Sequence, residues 1–384
     1  MKPAPRLLAI CNYPSETRPA HQVFVRALLL EMRSLGADIT VIAPESRWNQ
    51  AKARTGFRLP SLLDERDGLP VHRPRYMTYS NIRLPWGGTT SRWGVDAYAR
   101  AVLNRARKLP GKFDFCMGHF LYPQGFAAAR VGAELGIPTV VSLGESSFDR
   151  YESTYQAAEI TRLFGQFSGV ISNSRLLRDR SVELYGLAPE NVRVLPNGVD
   201  EELFYPRGRA SARRELGLPP DRPIVIFTGQ FIQRKGPMRV LQAIQPRPEI
   251  GAVFLGYGPQ APQGPQVLHQ GEVPHEDVPL WLSAADLFVL PTLNEGCSNS
   301  ILEALFCGLP VVSSDLPFNQ DILNEQVSIM VDPRDVNALG QAIFALVDSP
   351  ERREAMGKAA LLRSNSFRLA DRARHVLQFL EGLC

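Results

Sequence analysis

Residues 287–314 of the chain read LFVLPTLNEGCSNSILEALFCGLPVVSS. An apolar run ends at Pro291 and a polar loop follows. A helical pattern then extends from about Ser298 to Gly308, and a second β-branched run begins at Val311. A strand, a loop, a helix and another strand form the repeating unit of a parallel sheet with crossover helices. The segment therefore predicts a β–α–β unit whose polar loop lies at the carboxyl end of the first strand.

The same alternation of short β-branched runs and longer helical patterns extends along most of the chain. In the first half we predict strands at residues 7–11, 38–43, 113–118, 139–143, 169–173 and 192–195 and helices at 22–35, 92–109, 123–135 and 174–185. In the second half we predict strands at 224–228, 253–255, 286–290, 311–314 and 327–331 and helices at 238–244, 278–284, 298–306, 336–347, 351–362 and 369–380. Residues 205–221, rich in proline, glycine and arginine, are typical of a linker. Two Rossmann-like units in tandem are the architecture that this pattern predicts.

The length and composition predict a globular protein of two domains. The chain has 384 residues, of which 44% are hydrophobic and 21% charged, so disordered and fibrous classes are excluded. No apolar run approaches the roughly 20 residues that span a bilayer. The N-terminal apolar run is also too short for a signal-peptide core. The five cysteines lie far apart without a C-x-x-C pair, so we expect no disulfide framework, no metal site and a cytoplasmic location.

Basic residues are concentrated in one part of the chain. The formal net charge is +4, yet residues 47–108 contain 13 Lys and Arg against 4 Asp and Glu, together with Tyr76, Tyr79, Trp86 and Trp93. Such a block indicates a surface that meets an anionic partner. The alternative, of equal weight, is a solvated face of a protein in which only six of the 43 basic residues are lysine. No nucleic-acid-binding motif accompanies the block, so we expect no nucleic-acid partner.

Two glutamates flank the start of the predicted helix 298–306, Glu295 in the loop and Glu303 within the helix. The free N–H groups and the dipole at a helix N-terminus favour anions. Gly296 lets the backbone approach a ligand closely, and residues 297–299 would present their amides to it. Carboxylates beside such a site can accept hydrogen bonds from sugar hydroxyls, so the arrangement suits a sugar nucleotide. Without further context, the two acids would more often be a capping residue and a surface residue.

A resemblance to a known protein family favours the ligand-binding interpretation of the two glutamates. The segment resembles the Glu-(seven residues)-Glu motif of the retaining glycosyltransferases of family 4, with Glu295 and Glu303 as its two acids. Other stretches resemble the same family in the same order: VISNS (170–174), LPNGVD (195–200), FTGQF (227–231), RKG (234–236), LGYGP (255–259) and GEVP (271–274). The resemblance implies an α/β protein of the GT-B fold, in which two Rossmann-like, doubly wound domains face each other across a cleft.

The resemblance also implies a division of the chain. Residues 1–205 would form an acceptor-binding domain and residues 206–366 a domain that binds the nucleotide sugar. Residues 367–384 would form a C-terminal helix that returns to the first domain.

Roles follow from the resemblance position by position. Glu303 would accept hydrogen bonds from the ribose of the donor, and Glu295 would contact the donor sugar near the reacting carbon. Lys235 and Arg234 would neutralise the diphosphate, whose charge grows as it leaves. Gln230 stands where many members carry arginine, which weakens one phosphate contact. The remaining expected donor-binding residues are Gly229, Gln230, Gly256, Gly258, Val273, Gly296, Cys297, Ser298 and Asn299.

The expected acceptor side lies in strand-end loops of the first half. His119, in the stretch GHFLYPQG (118–125), resembles the histidine of the family's acceptor-side loop, and we expect it to be catalytic together with Glu295 and Lys235. The alternative is a structural histidine. Ser15 and Glu145 are two further candidates for contact with the acceptor.

The resemblance implies a retaining glycosyltransferase that needs no metal and forms an α-linkage in polysaccharide, glycolipid or glycoconjugate synthesis. No cofactor is expected beyond the co-substrate, a nucleotide sugar, for which a UDP-sugar is favoured. The expected acceptor is a saccharide or a lipid-linked saccharide, and the basic block suggests peripheral contact with an anionic membrane at its inner face. Two alternatives are a nucleotide-sugar epimerase of the same architecture and a non-catalytic nucleotide-sugar-binding protein.

Overall fold

The computed structural model describes residues 4–15, 22–47, 63–64, 66–79, 82, 90–146, 148–152 and 154–383. The strands, numbered in chain order, are β1 Arg6–Ile10, β2 Asp38–Ile42, β3 Glu45–Ser46, β4 Leu63–Asp64, β5 Val71–His72, β6 Arg75–Tyr76, β7 Phe115–His119, β8 Thr139–Leu143, β9 Gly169–Ser172, β10 Val192–Val194, β11 Ile224–Thr228, β12 Gly251–Leu255, β13 Val267–Gly271, β14 Leu287–Leu290, β15 Val311–Ser314 and β16 Ser328–Val331. The α-helices are α1 Val23–Ser34, α2 Ser91–Ala106, α3 Phe126–Leu135, α4 Asp149–Glu152, α5 Ala157–Phe164, α6 Arg175–Tyr185, α7 Arg209–Glu215, α8 Pro237–Ile244, α9 Val278–Ala284, α10 Asn299–Phe306, α11 Val336–Val347, α12 Pro350–Ser364 and α13 Leu369–Glu381.

The first compact unit comprises Met1–Leu195 together with Ala370–Cys384. Its sheet has the order β10-β9-β8-β7-β1-β2-β5-β4, and the strands pair in parallel except for β4 with β5. Leu7 to Ile10 of β1 alternate between the two faces of the sheet and are all buried, so both faces are covered at this strand, as is usual for parallel sheets. The order runs outward in both directions from β1, so the carboxyl ends of β1 and β7 mark the switch point where ligands of such sheets bind.

The second unit, Pro196–Leu369, contains a parallel sheet of the order β13-β12-β11-β14-β15-β16. Its strand order reverses between β11 and β14, whose side chains are fully buried. The loops that follow these two strands therefore emerge side by side at the carboxyl edge of the sheet, which is the ligand-binding edge of doubly wound sheets.

Residues 205–221 do not form the continuous linker that their composition predicts, since they contain helix α7. This helix contains Arg213, whose guanidinium is buried. The guanidinium donates hydrogen bonds to the carbonyl oxygens of Ala284 (2.8 Å) and Pro220 (2.6 Å) and to the carboxylate of Asp286 (2.7 Å). A buried arginine with this many partners cannot be distinguished from a solvated one by composition alone. The sequence prediction also omitted α5 and the half-buried strand β13.

The two units divide at Leu195/Pro196, ten residues before the boundary expected at 205/206. Residues 196–205 join the second unit because Val199 donates a hydrogen bond to the carbonyl of Phe367 (2.9 Å) and accepts one from Leu369 (2.9 Å). Phe204 is buried in the same core. In the first unit, the α13 residue Arg372 donates a hydrogen bond to the carbonyl of Leu195.

The two arginines that share Asp286 provide a first prediction. Arg213 is 5% exposed, whereas Arg209, 2.6 Å from the other carboxylate oxygen, is 56% exposed. Removing one partner of a buried ion pair costs about 3–5 kcal/mol, whereas an exposed pair contributes about 1 kcal/mol or less. We therefore expect Arg213→Ala to lower the free energy of unfolding far more than Arg209→Ala does, measured by denaturant titration. Equal losses would contradict this account of α7.

Candidate active site

Two cationic side chains and one carboxylate meet at the carboxyl edge of the second sheet. The ammonium of Lys235 forms an ion pair with Oε1 of Glu295, and Nη1 of Arg234 lies 3.2 Å from the same oxygen. The Glu295 and Lys235 side chains are only 11% and 13% exposed. The structure thus brings together three residues that the sequence analysis placed near the diphosphate and the donor sugar.

The loops that carry these charges are tied to each other by further hydrogen bonds. The backbone N–H of Leu293 donates to the carbonyl of Arg234 (2.8 Å), and Nη1 of Arg234 donates to the carbonyl of Asn294 (2.5 Å). The hydroxyl of Thr292, which is fully buried, donates to Oε1 of Glu295 (3.1 Å). Thr292 holds the Glu295 carboxylate in place, and the sequence analysis missed it because a threonine at a strand end carries no distinctive signal.

Glycines allow the loops after β11 and β12 to touch. Gly256 adopts φ +145°, and a Cβ at this position would lie 1.9 Å from the carbonyl oxygen of Gly229; a Cβ on Gly258 (φ +148°) would lie 2.5 Å from that of Phe231. Two backbone hydrogen bonds join the same loops, from Gly229 to Leu255 (2.9 Å) and from Phe231 to Tyr257 (2.6 Å). These predicted donor-site glycines are therefore required by backbone contact as well as by conformation.

The second acid of the motif, Glu303, lies on α10, and its side chain is mostly buried. Its carboxylate oxygen is 3.4 Å from Nε2 of His275. Burial opposes the charged form of His275, but the hydrogen bond and charge of Glu303, with the charges of Glu276 and Asp200, outweigh it. The pKa of His275 therefore lies above its ordinary value. His275 was not among the predicted site residues.

Hydrogen bonds from the side chain of Asn197 hold the start of α10 in place. The Asn197 amide donates to the side-chain oxygen of Asn299 (2.7 Å) and to the carbonyl of Cys297 (3.3 Å). Ser298 caps the helix, since its hydroxyl accepts a hydrogen bond from the backbone of Ile301 (3.4 Å). The first N–H groups of a helix have no partner within it, so they remain available to an anion at this end.

The other predicted donor-site residues lie around this edge in different degrees of burial. Gly296 and Cys297 are buried, and Val273 is half-buried against the core of the second unit. Gln230 is exposed, and its amide donates to the hydroxyl of Tyr257 at 3.4 Å. Gln230 therefore adds a polar contact here but no positive charge.

In the first unit, His119 ends β7 at the carboxyl edge of the sheet and is almost fully buried. Its ring lies 5.9 Å from that of Phe24 and 5.3 Å from that of Phe120. Burial, together with the positive charge of Arg372, lowers the pKa of His119 to about 3. The imidazole is therefore neutral at physiological pH.

The two other predicted acceptor residues are engaged within the first unit. The carboxylate of Glu145 accepts hydrogen bonds from the backbone of Leu121 (2.5 Å) and Gly144 (2.9 Å) and from the hydroxyl of Tyr151. Burial raises the pKa of this carboxyl, although these hydrogen bonds oppose the shift. Ser15 is buried where β1 leads into its loop. The rest of that loop, residues 16–21, lies outside the described residues, as does much of the basic block 47–108.

Within the described ranges, no three or more His, Cys, Asp or Glu side chains are placed to hold a metal ion. In the same parts of the chain, none of the helices combines the length and the apolar character needed to cross a bilayer.

Comparison with known proteins identifies the family. Residues 21–203 match the family model "Glycosyltransferase Family 4", and residues 208–363 match "Glycosyl transferases group 1". The putative teichuronic acid biosynthesis glycosyltransferase TuaC of Bacillus subtilis is 32% identical over 346 residues, which cover 86% of each chain. The chain belongs to glycosyltransferase family 4. A D-inositol 3-phosphate glycosyltransferase of Catenulispora acidiphila is 28% identical over 68% of this chain and 70% of its own. The protein is thus an enzyme, a glycosyltransferase, as the sequence resemblance predicted.

Solved structures confirm the predicted GT-B fold of this family-4 member. Sucrose-phosphate synthase from Thermosynechococcus elongatus matches with a TM-score of 0.78 at 19% identity, over 98% of this chain and 99% of that one. HepE from Anabaena, crystallised in complex with UDP, matches with a TM-score of 0.75 at 15% identity, over 98% and 100%. At these identities the likeness concerns the fold.

Gly256, a predicted donor-site glycine of this glycosyltransferase, provides a second prediction, with Gly264 as its control. Gly256 and Gly264 both have positive φ, but a Cβ on Gly264 (φ +153°) would meet nothing within 4 Å. Alanine at either position is strained by about 1–3 kcal/mol, and overpacking at Gly256 adds about 1–3 kcal/mol. We expect Gly256→Ala to lower the melting temperature clearly more than Gly264→Ala. Matching decreases would show that the contact with Gly229 is not needed.

Proposed function

We propose that this enzyme transfers a sugar from a nucleoside-diphosphate sugar to an acceptor hydroxyl with retention of configuration, giving an α-linkage. A UDP-sugar is the first candidate donor. The observation that carries the proposal is the cluster of Lys235, Arg234 and Glu295 beside the start of α10, with Glu303 on that helix. HepE, which shares the fold, has been crystallised with UDP and with UDP-glucose, and this supports the choice of probe.

In the proposed donor complex, the diphosphate binds to Lys235, Arg234 and the N-terminus of α10, and Glu303 accepts hydrogen bonds from the ribose. In the free enzyme both cations are paired with Glu295. The arriving diphosphate competes for these cations, because it carries more negative charge than one carboxylate. The carboxylate of Glu295 can then accept hydrogen bonds from hydroxyls of the donor sugar. Side chains, rather than a metal ion, neutralise the leaving group in this proposal.

The proposed reaction is a front-face displacement at the anomeric carbon. The bond between that carbon and the diphosphate oxygen breaks, and a bond to the acceptor oxygen forms on the same face. The proton of the acceptor hydroxyl passes to the departing diphosphate. Lys235 and Arg234 stabilise the charge that develops on the leaving oxygen, so the protein contributes charge and position rather than a strong base.

We place the acceptor at the carboxyl edge of the first sheet, at the end of β7. His119 lies there, and its neutral imidazole can donate or accept one hydrogen bond with a sugar hydroxyl. The acceptor class that we propose is a saccharide, free or lipid-linked. The name of the relative TuaC, which refers to teichuronic acid biosynthesis, supports a role in polysaccharide synthesis.

Replacing Glu295 and replacing Glu303 should affect sugar transfer and UDP binding differently, which provides a third prediction. Glu295→Ala removes the sugar contact but leaves both cations for the diphosphate. Its transfer rate should therefore fall by about 100-fold or more, with UDP affinity unchanged or tighter. Glu303→Ala should instead weaken UDP binding, because the ribose contact is lost. Radiolabelled sugar transfer and calorimetric titration with UDP measure the two effects.

A thermal-shift panel of UDP, GDP and ADP identifies the base, since a ligand that binds the folded state raises the melting temperature. Unchanged turnover in Glu295→Ala would remove that residue from the mechanism. Stabilisation by none of the three diphosphates would overturn the donor assignment itself.

We also propose that the first unit contacts an anionic membrane surface. Tyr79 and Trp93 are each 47% exposed, and their ring centroids are 5.9 Å apart. Met77 and Ile82, which are close to Tyr79 in sequence, are also exposed. Trp93 shares the exposed face of α2 with Arg100. Aromatic side chains beside arginines favour the interface of an anionic bilayer.

A flotation assay tests this contact and provides a fourth prediction. At low salt, the enzyme should float with vesicles that contain phosphatidylglycerol but not with vesicles of pure phosphatidylcholine. Raising the salt from 0.03 M to 0.5 M shortens the electrostatic screening length about fourfold and should release the enzyme. Trp93→Ala should reduce flotation, whereas Leu362→Ala, an exposed apolar residue of the second unit, should not. Equal flotation of all three proteins would place the membrane contact elsewhere, and no flotation at low salt would refute it.

A further inference from the structure

Arg239, in the first turn of α8, bonds to both loops of the charged cluster. Its Nη1 donates to the carbonyl of Gln233 (2.9 Å), and its Nη2 donates to the carbonyl of Pro291 (2.6 Å) and, at 3.4 Å, to that of Arg234. Gln233 precedes the two cations directly, and Pro291 begins the loop that leads to Glu295. One guanidinium therefore spans the two segments whose separation sets the distance between the cations and the carboxylate.

The surroundings of Arg239 are arranged for this contact. A Cβ on Gly236 would lie 2.4–2.8 Å from the guanidinium atoms, so only glycine leaves room for it. Within the described residues, no carboxylate forms an ion pair with Arg239. Burial and the positive charge of Arg334 lower its pKa. Both Nη groups of Arg239 thus bond to backbone carbonyls, whereas its buried Nε has no hydrogen-bond partner among the described residues. Its charge stays uncompensated beside the cluster.

We infer that Arg239 is a positioning residue of the donor site, which fixes the loop of Lys235 against the loop of Glu295. The inference rests on the proposed function, because it assumes that a diphosphate binds at this cluster. The hydrogen bonds of Arg239 to the two loops matter more in this protein than in one with arginine at position 230, because Gln230 brings no charge to the site. The alignment of the remaining two cations therefore determines how firmly the diphosphate is held.

The chain offers a matched control in Arg222. Its guanidinium also donates to three backbone carbonyls, those of Glu249 (2.9 Å), Pro248 (2.8 Å) and Ile250 (3.3 Å). Arg222 precedes β11 and its partners precede β12, so this arginine lies at the amino edge of the same sheet. Arg222→Ala therefore removes a similar set of hydrogen bonds away from the cluster.

The test compares the affinities of Arg239→Ala, Arg222→Ala and the wild type for UDP and UMP by calorimetric titration, together with transfer kinetics. UMP lacks the second phosphate, so the UDP-to-UMP affinity ratio reports the diphosphate contacts. Arg239→Ala should lower this ratio about 10-fold and kcat/KM by about 10–100-fold, as expected for misplaced reacting groups. Arg222→Ala should leave both at the wild-type value.

Rescue separates positioning from a general loss of stability. Ethylguanidinium added to Arg239→Ala should restore part of the UDP-to-UMP affinity ratio. Arg239→Lys, which keeps the charge, should give an intermediate ratio. It replaces the alanine variant in the test if that variant does not fold. A wild-type ratio in Arg239→Ala and Arg239→Lys, or the same decrease in Arg222→Ala, would overturn the inference. Failure of the wild type to bind any nucleoside diphosphate would refute the proposed function instead.

Discussion

The candidate active site depends on one shared carboxylate. Glu295 accepts contacts from Lys235, Arg234 and Thr292, so three positions on two loops converge on a single oxygen. Two cations and one carboxylate leave a net positive charge in a mostly buried place, where Coulomb interactions are stronger than in water. The physical character of such a cluster favours a ligand with more than one negative charge.

The topology of the sheet explains why these loops meet. The strand order reverses between β11 and β14, so the two loops emerge next to each other without an intervening crossover. The loop after β12 is then brought against the loop after β11 by backbone hydrogen bonds and by glycines that allow close approach. In the first unit the same rule places His119 at the end of a central strand. The candidate site residues of both units therefore lie at the carboxyl edges of their sheets.

The sequence was sufficient for the architecture because buried parallel strands and their crossover helices have strong patterns. The strands 224–228, 139–143 and 311–314 and the helices 278–284 and 336–347 were predicted to the residue. The half-buried β13, in contrast, has neither a continuous apolar run nor a clear alternation. Helix α7 was missed because Arg213 looks like a surface residue until its carbonyl and carboxylate partners, up to 73 positions away in the sequence, are known.

The candidate site divides in the same way. The resemblance to family motifs predicted roles for Glu295, Glu303 and Lys235, since these residues belong to short continuous segments. Thr292 and His275 contact these acids, and Arg239 bonds to the loops on either side, through contacts that only the folded chain creates. A motif is a continuous stretch of sequence, whereas the supporting contacts depend on distances between loops that are far apart in sequence.

The chain passes between its two compact units at residues 195/196 and again at 369/370. The second unit is thus a contiguous insertion within the first, closed at its base by the pairing of Val199 with residues 367 and 369. The charged residues described around Glu295 and Glu303, namely Arg234, Lys235 and His275, all belong to that uninterrupted stretch. Exchanging residues 196–369 as one segment would therefore transfer this whole cluster and leave every residue of the first unit unchanged.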